Sequence, residues 1–211
     1  MTPVKEFYEK QAEHIIRHLE KRNMEGYYCP DCQSAVQKAM SLIPKGSTVS
    51  WGGSMTLSQC GLMDALSDSD LTLFSREKAR TPEEKKAAYR QAFSADYYLM
   101  GCNAITLDGQ LVNIDGNGNR VAALAYGPDY ILMLVGMNKV VSSPEEAVSR
   151  VHTAAAPPNA MRLSTKTPCQ ATGVCQNCLS PDCICCQTVI TRFSRTPGRI
   201  KVILIGEVLG Y

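Results

Sequence analysis

Residues 101–130 read GCNAITLDGQLVNIDGNGNRVAALAYGPDY and contain two turn motifs a few residues apart. Asp108-Gly109 lies between short apolar runs that suit strands. Because Asp-Gly accepts the positive φ angles of a two-residue turn, the sequence predicts a β-hairpin there. The second strand leads into Asp115-Gly116-Asn117-Gly118-Asn119-Arg120, and residues 121–125 predict a short helix. Such a loop exposes backbone N–H groups and one guanidinium beside a helix start, so it is either a plain surface turn or part of an anion site.

The segments on both sides of this stretch alternate between strand and helix patterns. The apolar run 130–136 predicts a strand buried on both faces, as in a parallel sheet covered by helices. Further strands are predicted over 47–50, 71–74, 95–101, 188–193 and 200–206, and further helices over 3–24, 34–42, 57–66, 81–93 and 142–155. The sequence therefore predicts the α/β class, with a mainly parallel sheet flanked by helices and a cysteine-rich segment near the end.

A second glycine loop follows the strand predicted at 47–50 and reads Trp51-Gly52-Gly53-Ser54-Met55-Thr56. A strand, a glycine pair with hydroxyl groups and then a helix is an arrangement that cradles an anion. The loop is neither a Walker motif nor a dinucleotide GxGxxG motif, because the required residues do not follow. A helix cap on Thr56 explains part of the pattern without any ligand.

Ten cysteines occur in the chain, and six of them fall within residues 166–187, KTPCQATGVCQNCLSPDCICCQ. Cys175-Gln-Asn-Cys178 is a CxxC pair, and thiolates bind structural zinc or iron–sulfur clusters. Spacing does not separate these metals, and disulfides or inert thiols remain alternatives. A second CxxC, Cys29-Pro30-Asp31-Cys32, has no predicted strand directly before it and is interpreted as incidental loop and helix-start cysteines.

Composition limits the kind of protein this is. The chain has 211 residues, 45% of them hydrophobic, and a net charge of +2, which suits one ordinary globular domain. Without a Lys/Arg run, a nucleic-acid partner is not expected. No apolar stretch approaches the roughly 18 residues of a membrane span, and the N-terminus has no signal-peptide core, so a cytoplasmic location is expected.

Four segments resemble the LUD family of lactate-utilisation proteins. They are 49–57 (VSWGGSMTL), 103–120 (NAITLDGQLVNIDGNGNR), 135–139 (VGMNK) and the cluster that begins at Thr167-Pro168-Cys169. The resemblance covers nearly the whole chain. It suggests residues 1–30 as an N-terminal helix and linker, 31–165 as the LUD core, 166–187 as the metal-binding-like segment and 188–211 as strands that complete the core. One departure is that relatives often place a Glu near Gln59.

The resemblance implies a fold similar to the sugar-phosphate isomerases and CoA-transferases, whose glycine loops bind phosphate or acyl-CoA at the carboxyl ends of strands. It also implies a link to bacterial lactate oxidation, with iron–sulfur partner subunits. Homo-oligomerisation stays open. The expected residues for a small anionic ligand are Gly52, Gly53, Ser54, Met55, Thr56, Asn103, Asp115, Asn117, Gly118, Asn119 and Arg120. Those for zinc or an iron–sulfur cluster are Cys169, Cys175, Cys178 and Cys185.

Three functions follow as hypotheses. The first is a redox-associated subunit in lactate or 2-hydroxyacid oxidation, with Arg120 holding the anion through two N–H groups. The second is an isomerase- or CoA-transferase-like enzyme, for which no pair of carboxylates stands out as catalytic. The third is a non-catalytic assembly protein with structural zinc.

Overall fold

A computed structural model describes residues 2–77 and 79–211. Its α-helices are α1 (Pro3–Lys21), α2 (Cys32–Ser41), α3 (Met55–Gln59), α4 (Leu62–Ser67), α5 (Pro82–Gln91), α6 (Asn119–Ala125), α7 (Pro144–Arg150), α8 (Ala156–Arg162) and α9 (Pro168–Thr172). Its strands are β1 (Glu25–Cys29), β2 (Thr48–Trp51), β3 (Thr72–Phe74), β4 (Tyr97–Gly101), β5 (Ala104–Thr106), β6 (Leu111–Asp115), β7 (Tyr130–Gly136), β8 (Val140–Val141), β9 (Gln187–Thr191) and β10 (Ile200–Ile205).

Six strands form the main sheet in the order β1-β10-β7-β4-β2-β3, and every neighbouring pair is parallel. The expected strand at 130–136 is β7, buried from Ile131 to Gly136 near the middle of this sheet. A strand inside a parallel sheet is covered on both faces, which explains its unbroken apolar run. The prediction of an α/β protein with a mainly parallel sheet is confirmed.

Helices cover both faces of the main sheet. On β7, Ile131 and Met133 face a core shared with α1 and α6, whereas Leu132 and Leu134 face a core shared with α2, α3 and α4. This alternation follows from the period of two along a strand. The two cores hold the carboxyl ends of the parallel strands at a fixed edge, where the candidate site lies.

The hairpin predicted around Asp108 is present and belongs to a second sheet, in the order β8-β5-β6-β9. Its turn differs from the two-residue turn expected. Gly109 has φ of +82°, and Asp108 is not among the residues with positive φ. The Gly109 N–H donates to the Thr106 carbonyl at 2.8 Å, and the Thr106 N–H donates to the Gln110 carbonyl at 3.0 Å. The loop is thus a longer turn closed by one left-handed glycine.

The interpretation of residues 24–31 as a break without a strand is wrong, because β1 occupies an edge of the main sheet beside β10. Tyr27 and Tyr28 favour extended backbone, but the run is too short and mixed to stand out in the sequence. At Gly26 an added Cβ would lie 2.8 Å from Ile16 Cγ1. Glycine at this position therefore lets α1 pack closely on the strand.

Several helix and strand boundaries also differ from the expectation. The helix expected at 57–66 is interrupted by Gly61, which has φ of +81°, and forms α3 and α4. The helix expected to end by residue 155 continues through a π turn, Val151–Ala155, into α8. Pro157 and Pro158 are tolerated there because they lie in the first turn of α8, where the backbone N–H has no helical partner.

The remaining differences concern the outer strands. The strand expected at 71–74 is β3, a partly exposed edge strand of the main sheet. The last two strands join different sheets: β9 pairs with β6, whereas β10 lies between β1 and β7. Across the described residues, no helix combines the length and apolar character needed to cross a membrane.

Candidate functional site

The candidate site lies at the carboxyl ends of three neighbouring strands, β2, β4 and β7. After β2 the chain turns to the edge strand β3, whereas after β4 it crosses in the opposite direction to β7. Ligands of open α/β sheets bind at such a change of direction. The glycine loop predicted from the sequence follows β2, Cys102 and Asn103 follow β4, and the 3-10 turn Met137–Lys139 follows β7.

A cavity of about 110 Å³ opens at this edge, beside a wider cleft of about 600 Å³. Of the expected ligand residues, the cavity is lined by Gly53, Ser54, Met55, Asn103 and Arg120. The cleft is lined by Gly53, Asp115, Asn117, Asn119 and Arg120. Three of the expected ligand residues line neither the cavity nor the cleft: Gly52, Thr56 and Gly118. The structure thus brings the two predicted loops together around Arg120.

Glycine in the first loop allows two arginines to approach the backbone. A Cβ on Gly52 would lie 3.1 Å from Arg120 Cδ, and one on Gly53 would lie 2.9 Å from Arg76 Nη2. Ser54, rather than Thr56, caps α3, since its hydroxyl accepts the Leu57 N–H at 3.4 Å. The N-terminus of α3 attracts an anion only weakly, because the helix has five residues and a correspondingly small dipole.

The second loop, residues 115–120, is closed by a hydrogen bond of its own. Gly118 has φ of +80°, which lets its N–H donate to Asp115 Oδ1 at 2.9 Å before α6 begins. Asn117 and Asn119 line the outer cleft instead. Because α6 has seven residues, its dipole adds little, and side chains must supply most of the charge at this site.

Arg120 is held by the protein itself. Its guanidinium donates to Asn113 Oδ1 at 2.6 Å, to Asn103 Oδ1 at 3.1 Å and to the Ile114 carbonyl at 2.8 Å, and its Nε lies 3.2 Å from Asp115 Oδ2. These contacts occupy most of the five N–H donors of the group. In this arrangement one N–H of Arg120 is left for a ligand and its charge is balanced by Asp115, so its contact with an anion stays a prediction.

Lys139 is the cation that the sequence analysis missed. Its side chain is 4% exposed, lines the cavity and donates from Nζ to the Thr56 hydroxyl at 2.9 Å. Among the described residues, no carboxylate forms an ion pair with it. Burial, together with the nearby positive charges of Arg150 and Arg120, lowers the pKa of the Lys139 ammonium to about 8. Only its place in the family-like segment VGMNK could have indicated a role.

The C-terminal cysteines gather around Cys185, which also lines the cavity. Burial raises the pKa of the Cys185 thiol to about 12, and the other thiols add to this shift: Cys183, Cys175, Cys169 and Cys178. Within residues 2–77 and 79–211, no three His, Cys, Asp or Glu side chains are arranged to hold a metal ion. The donor chemistry of a thiolate metal site is present near Cys185, but its coordination geometry is not.

The other CxxC pair differs from a reactive redox site. Cys29 is buried at the end of β1, and Cys32 begins α2. The Cys32 thiol donates to Glu207 Oε2 at 2.8 Å. Burial, followed by this hydrogen bond, raises the pKa of Cys32 to about 12, so the thiolate needed for exchange is scarce near neutral pH.

Comparison with known proteins identifies the family. The model of the LUD domain matches residues 12–205. A DUF162 family protein from Deinococcus radiodurans, known as a crystal structure, is 14% identical with a TM-score of 0.51, and the alignment covers 94% of this chain and 98% of that one. The eIF2B beta structure from Chaetomium thermophilum is 17% identical with a TM-score of 0.39, over 55% of this chain and 44% of that one. No curated protein matches the chain. Because the family model spans most of its length, the chain belongs to the LUD domain family.

Proposed function

We propose that this LUD domain binds a small carboxylate of the 2-hydroxyacid class in the cavity beside Lys139, as part of lactate or related 2-hydroxyacid oxidation. The observation that carries the proposal is the charge of Lys139, which is buried without a carboxylate partner among the described residues. An isolated buried ammonium is costly, and an anionic ligand would relieve that cost. The role in 2-hydroxyacid oxidation comes from the family resemblance.

The size of the cavity supports a small ligand. Its volume of about 110 Å³ is below the roughly 300–1,000 Å³ of pockets for drug-sized molecules. The Ser54 hydroxyl and the Asn103 amide line the same cavity and offer hydrogen bonds to a carboxylate or a hydroxyl group. A three-carbon hydroxyacid therefore fits the volume and the polarity better than a bulky substrate.

Calorimetry with L-lactate tests this proposal. We expect binding to the unmodified chain and its loss in Lys139→Met, which keeps a long side chain but removes the charge. Lys45→Met is the matched control, because Lys45 is exposed on a loop away from the cavity. Equal lactate binding by Lys139→Met and the unmodified chain would refute the proposal.

The wider cleft favours a second candidate, a phosphorylated or acyl-CoA substrate. Arg76 and Arg162 line its about 600 Å³, and the Arg76 guanidinium lies 5.6 Å from the centre of the Tyr89 ring. Thermal stabilisation by sugar phosphates or acyl-CoA, but not by L-lactate, would support this candidate, since a ligand of the native state raises its stability.

We also propose that Cys169, Cys175, Cys178 and Cys185 hold a metal centre, either zinc or an iron–sulfur cluster. The support is the thiol donor set gathered around Cys185, which suits both. Metal and acid-labile sulfide are measured after anaerobic purification. We expect Cys178→Ser to lose the metal and Cys183→Ser, outside the proposed set, to retain it. Metal-free protein, or equal loss in both variants, would contradict the assignment.

A further inference from the structure

The Lys139 amine is placed for more than charge pairing. It lies inside a small polar cavity, is 4% exposed, and is fixed by one hydrogen bond from Nζ to the Thr56 hydroxyl. Thr56 itself is fully buried and donates to the Leu209 carbonyl at 3.4 Å, so it does not move freely. An ammonium has three N–H donors, and among the residues that the structure describes one of them has a protein partner. The rest of the group is available to a ligand in the cavity.

We propose that Lys139 forms an imine with a small 2-oxo acid, the oxidised counterpart of the 2-hydroxyacid. The inference rests on the proposed function, because it uses the same cavity and a ligand with the same carboxylate. In this step the Nζ lone pair forms a bond to the carbonyl carbon of the 2-oxo acid. The two amine hydrogens leave with the carbonyl oxygen as water, and a C=N bond remains. No electrons are exchanged with a third compound.

The charge around Lys139 favours the neutral amine that this step requires. The groups that act on its charge are Cys102 after β4, Arg120 on α6 and Arg150 on α7. Three further titratable or charged side chains line the same cavity: Arg162, Cys185 and Tyr211. Burial is the main cause that keeps the pKa of Lys139 near 8; Cys102 opposes it more strongly than either guanidinium group adds to it. At pH 8 this gives on the order of 100-fold more free amine than an ordinary lysine offers. Desolvation of this kind is a recognised way to activate lysine as a nucleophile.

The imine also preserves the electrostatic role of Lys139. A protonated imine carries the same positive charge as the ammonium, beside the carboxylate of the bound acid. The cavity wall is tight at this point, since a Cβ on Gly210 would lie 3.0 Å from Lys139 Nζ and 2.7 Å from Thr56 Oγ1. Glycine there leaves room for the amine, and the small volume restricts the carbonyl compound to a short chain.

Reductive trapping tests the inference on the full chain. The protein is incubated with pyruvate and cyanoborohydride, digested and mapped by mass spectrometry. We expect one 1-carboxyethyl group per chain, located on Lys139, with a labelling rate that rises through about pH 8 as the amine loses its proton. Lys139→Arg, which keeps the charge but lacks the reactive amine, should lose this label while its unfolding temperature remains close to that of the unmodified chain.

Calorimetry with L-lactate on the same preparation separates the two proposals, because lactate has no carbonyl group and forms no imine. Lactate binding without a label on Lys139 overturns the imine and leaves the proposed function in place. A label spread over exposed lysines such as Lys45 also overturns the imine. Absence of both lactate binding and labelling overturns the imine and the proposed function together.

Discussion

Replacing Lys139 by Met should stabilise the protein while abolishing its ligand binding. Displacing the pKa of this ammonium from its ordinary 10.5 to about 8 corresponds to a cost of about 3 kcal/mol in the folded state. The substitution removes that cost but also removes the hydrogen bond to Thr56, which contributes about 1 kcal/mol. The expected net gain at pH 7 is about 2 kcal/mol, or roughly 4–8 °C in unfolding temperature for a chain of this size.

The stability gained by Lys139→Met should depend on pH over a limited range. Between about pH 8 and 10.5 the unfolded chain binds a proton at Lys139 that the folded chain lacks, so the stability of the unmodified protein rises with pH there. Below pH 8 the cost of the buried ammonium is fully present. At pH 9.5 only about 1 kcal/mol of that cost remains, so the advantage of Lys139→Met should fall to about zero.

Urea unfolding at pH 7 and pH 9.5 measures this difference. Other groups titrate in the same range, but their contributions cancel between two chains that differ at one residue. Lys45→Met serves as the control, and its stability difference from the unmodified chain should stay near zero at both pH values because Lys45 is exposed. A Lys139→Met variant that is less stable at pH 7, or whose advantage is the same at both pH values, refutes the description of Lys139 as an uncompensated buried charge.

Three further substitutions test the two loops at the cavity and, outside its lining, the start of α5. Gly52→Ala should lower the free energy of unfolding in urea by about 1–3 kcal/mol, because the new Cβ would lie 3.1 Å from Arg120 Cδ. An unchanged urea midpoint would contradict this, since it would show that the loop moves to make room for the Cβ. Asp115→Asn keeps an acceptor for the loop but uncovers the charge of Arg120, so calorimetry should show several-fold tighter anion binding, and weaker binding would contradict this. Thr81→Ala removes the capping box with Glu84 and should cost about 1 kcal/mol of stability with unaltered lactate affinity, because Thr81 is exposed and does not line the cavity; a changed affinity would contradict this.

The sequence predicts a strand correctly where the strand's own residues form a recognisable pattern. The apolar run of β7 is long enough to show burial on both faces, and the hairpin at Asp108 is marked by local turn chemistry. The strand β1 gave no such signal, because five residues at a sheet edge with half-buried side chains do not form a pattern. The helix through Pro157 is not predictable from the sequence, because proline usually ends a helix, whereas here a π turn places the prolines in the first turn of α8.

The sequence predicts the two loops of the candidate site but not the buried cation between them, Lys139. Glycine, asparagine and hydroxyl residues mark the loops after β2 and β6, and the parallel strands then bring them to one edge. Lys139 could not be distinguished from an exposed lysine, because its burial depends on α3 and on the backbone at Gly210, distant in sequence. Its internal contacts likewise decide that Arg120, the more conspicuous cation, has little capacity left for a ligand.

The two cations differ in how far the protein itself balances their charge. Arg120 lies beside Asp115 and three oxygen acceptors, so it joins the two loops and its charge is balanced whether or not a ligand is present. Lys139 is more deeply buried, and its ammonium donates one hydrogen bond, to the Thr56 hydroxyl group. A fold that needed this position only for packing would be more stable with an apolar side chain, because the buried ammonium is destabilising. The proposed ligand would use the charge of the amine, its lone pair or both, and lactate binding and pyruvate trapping distinguish these uses.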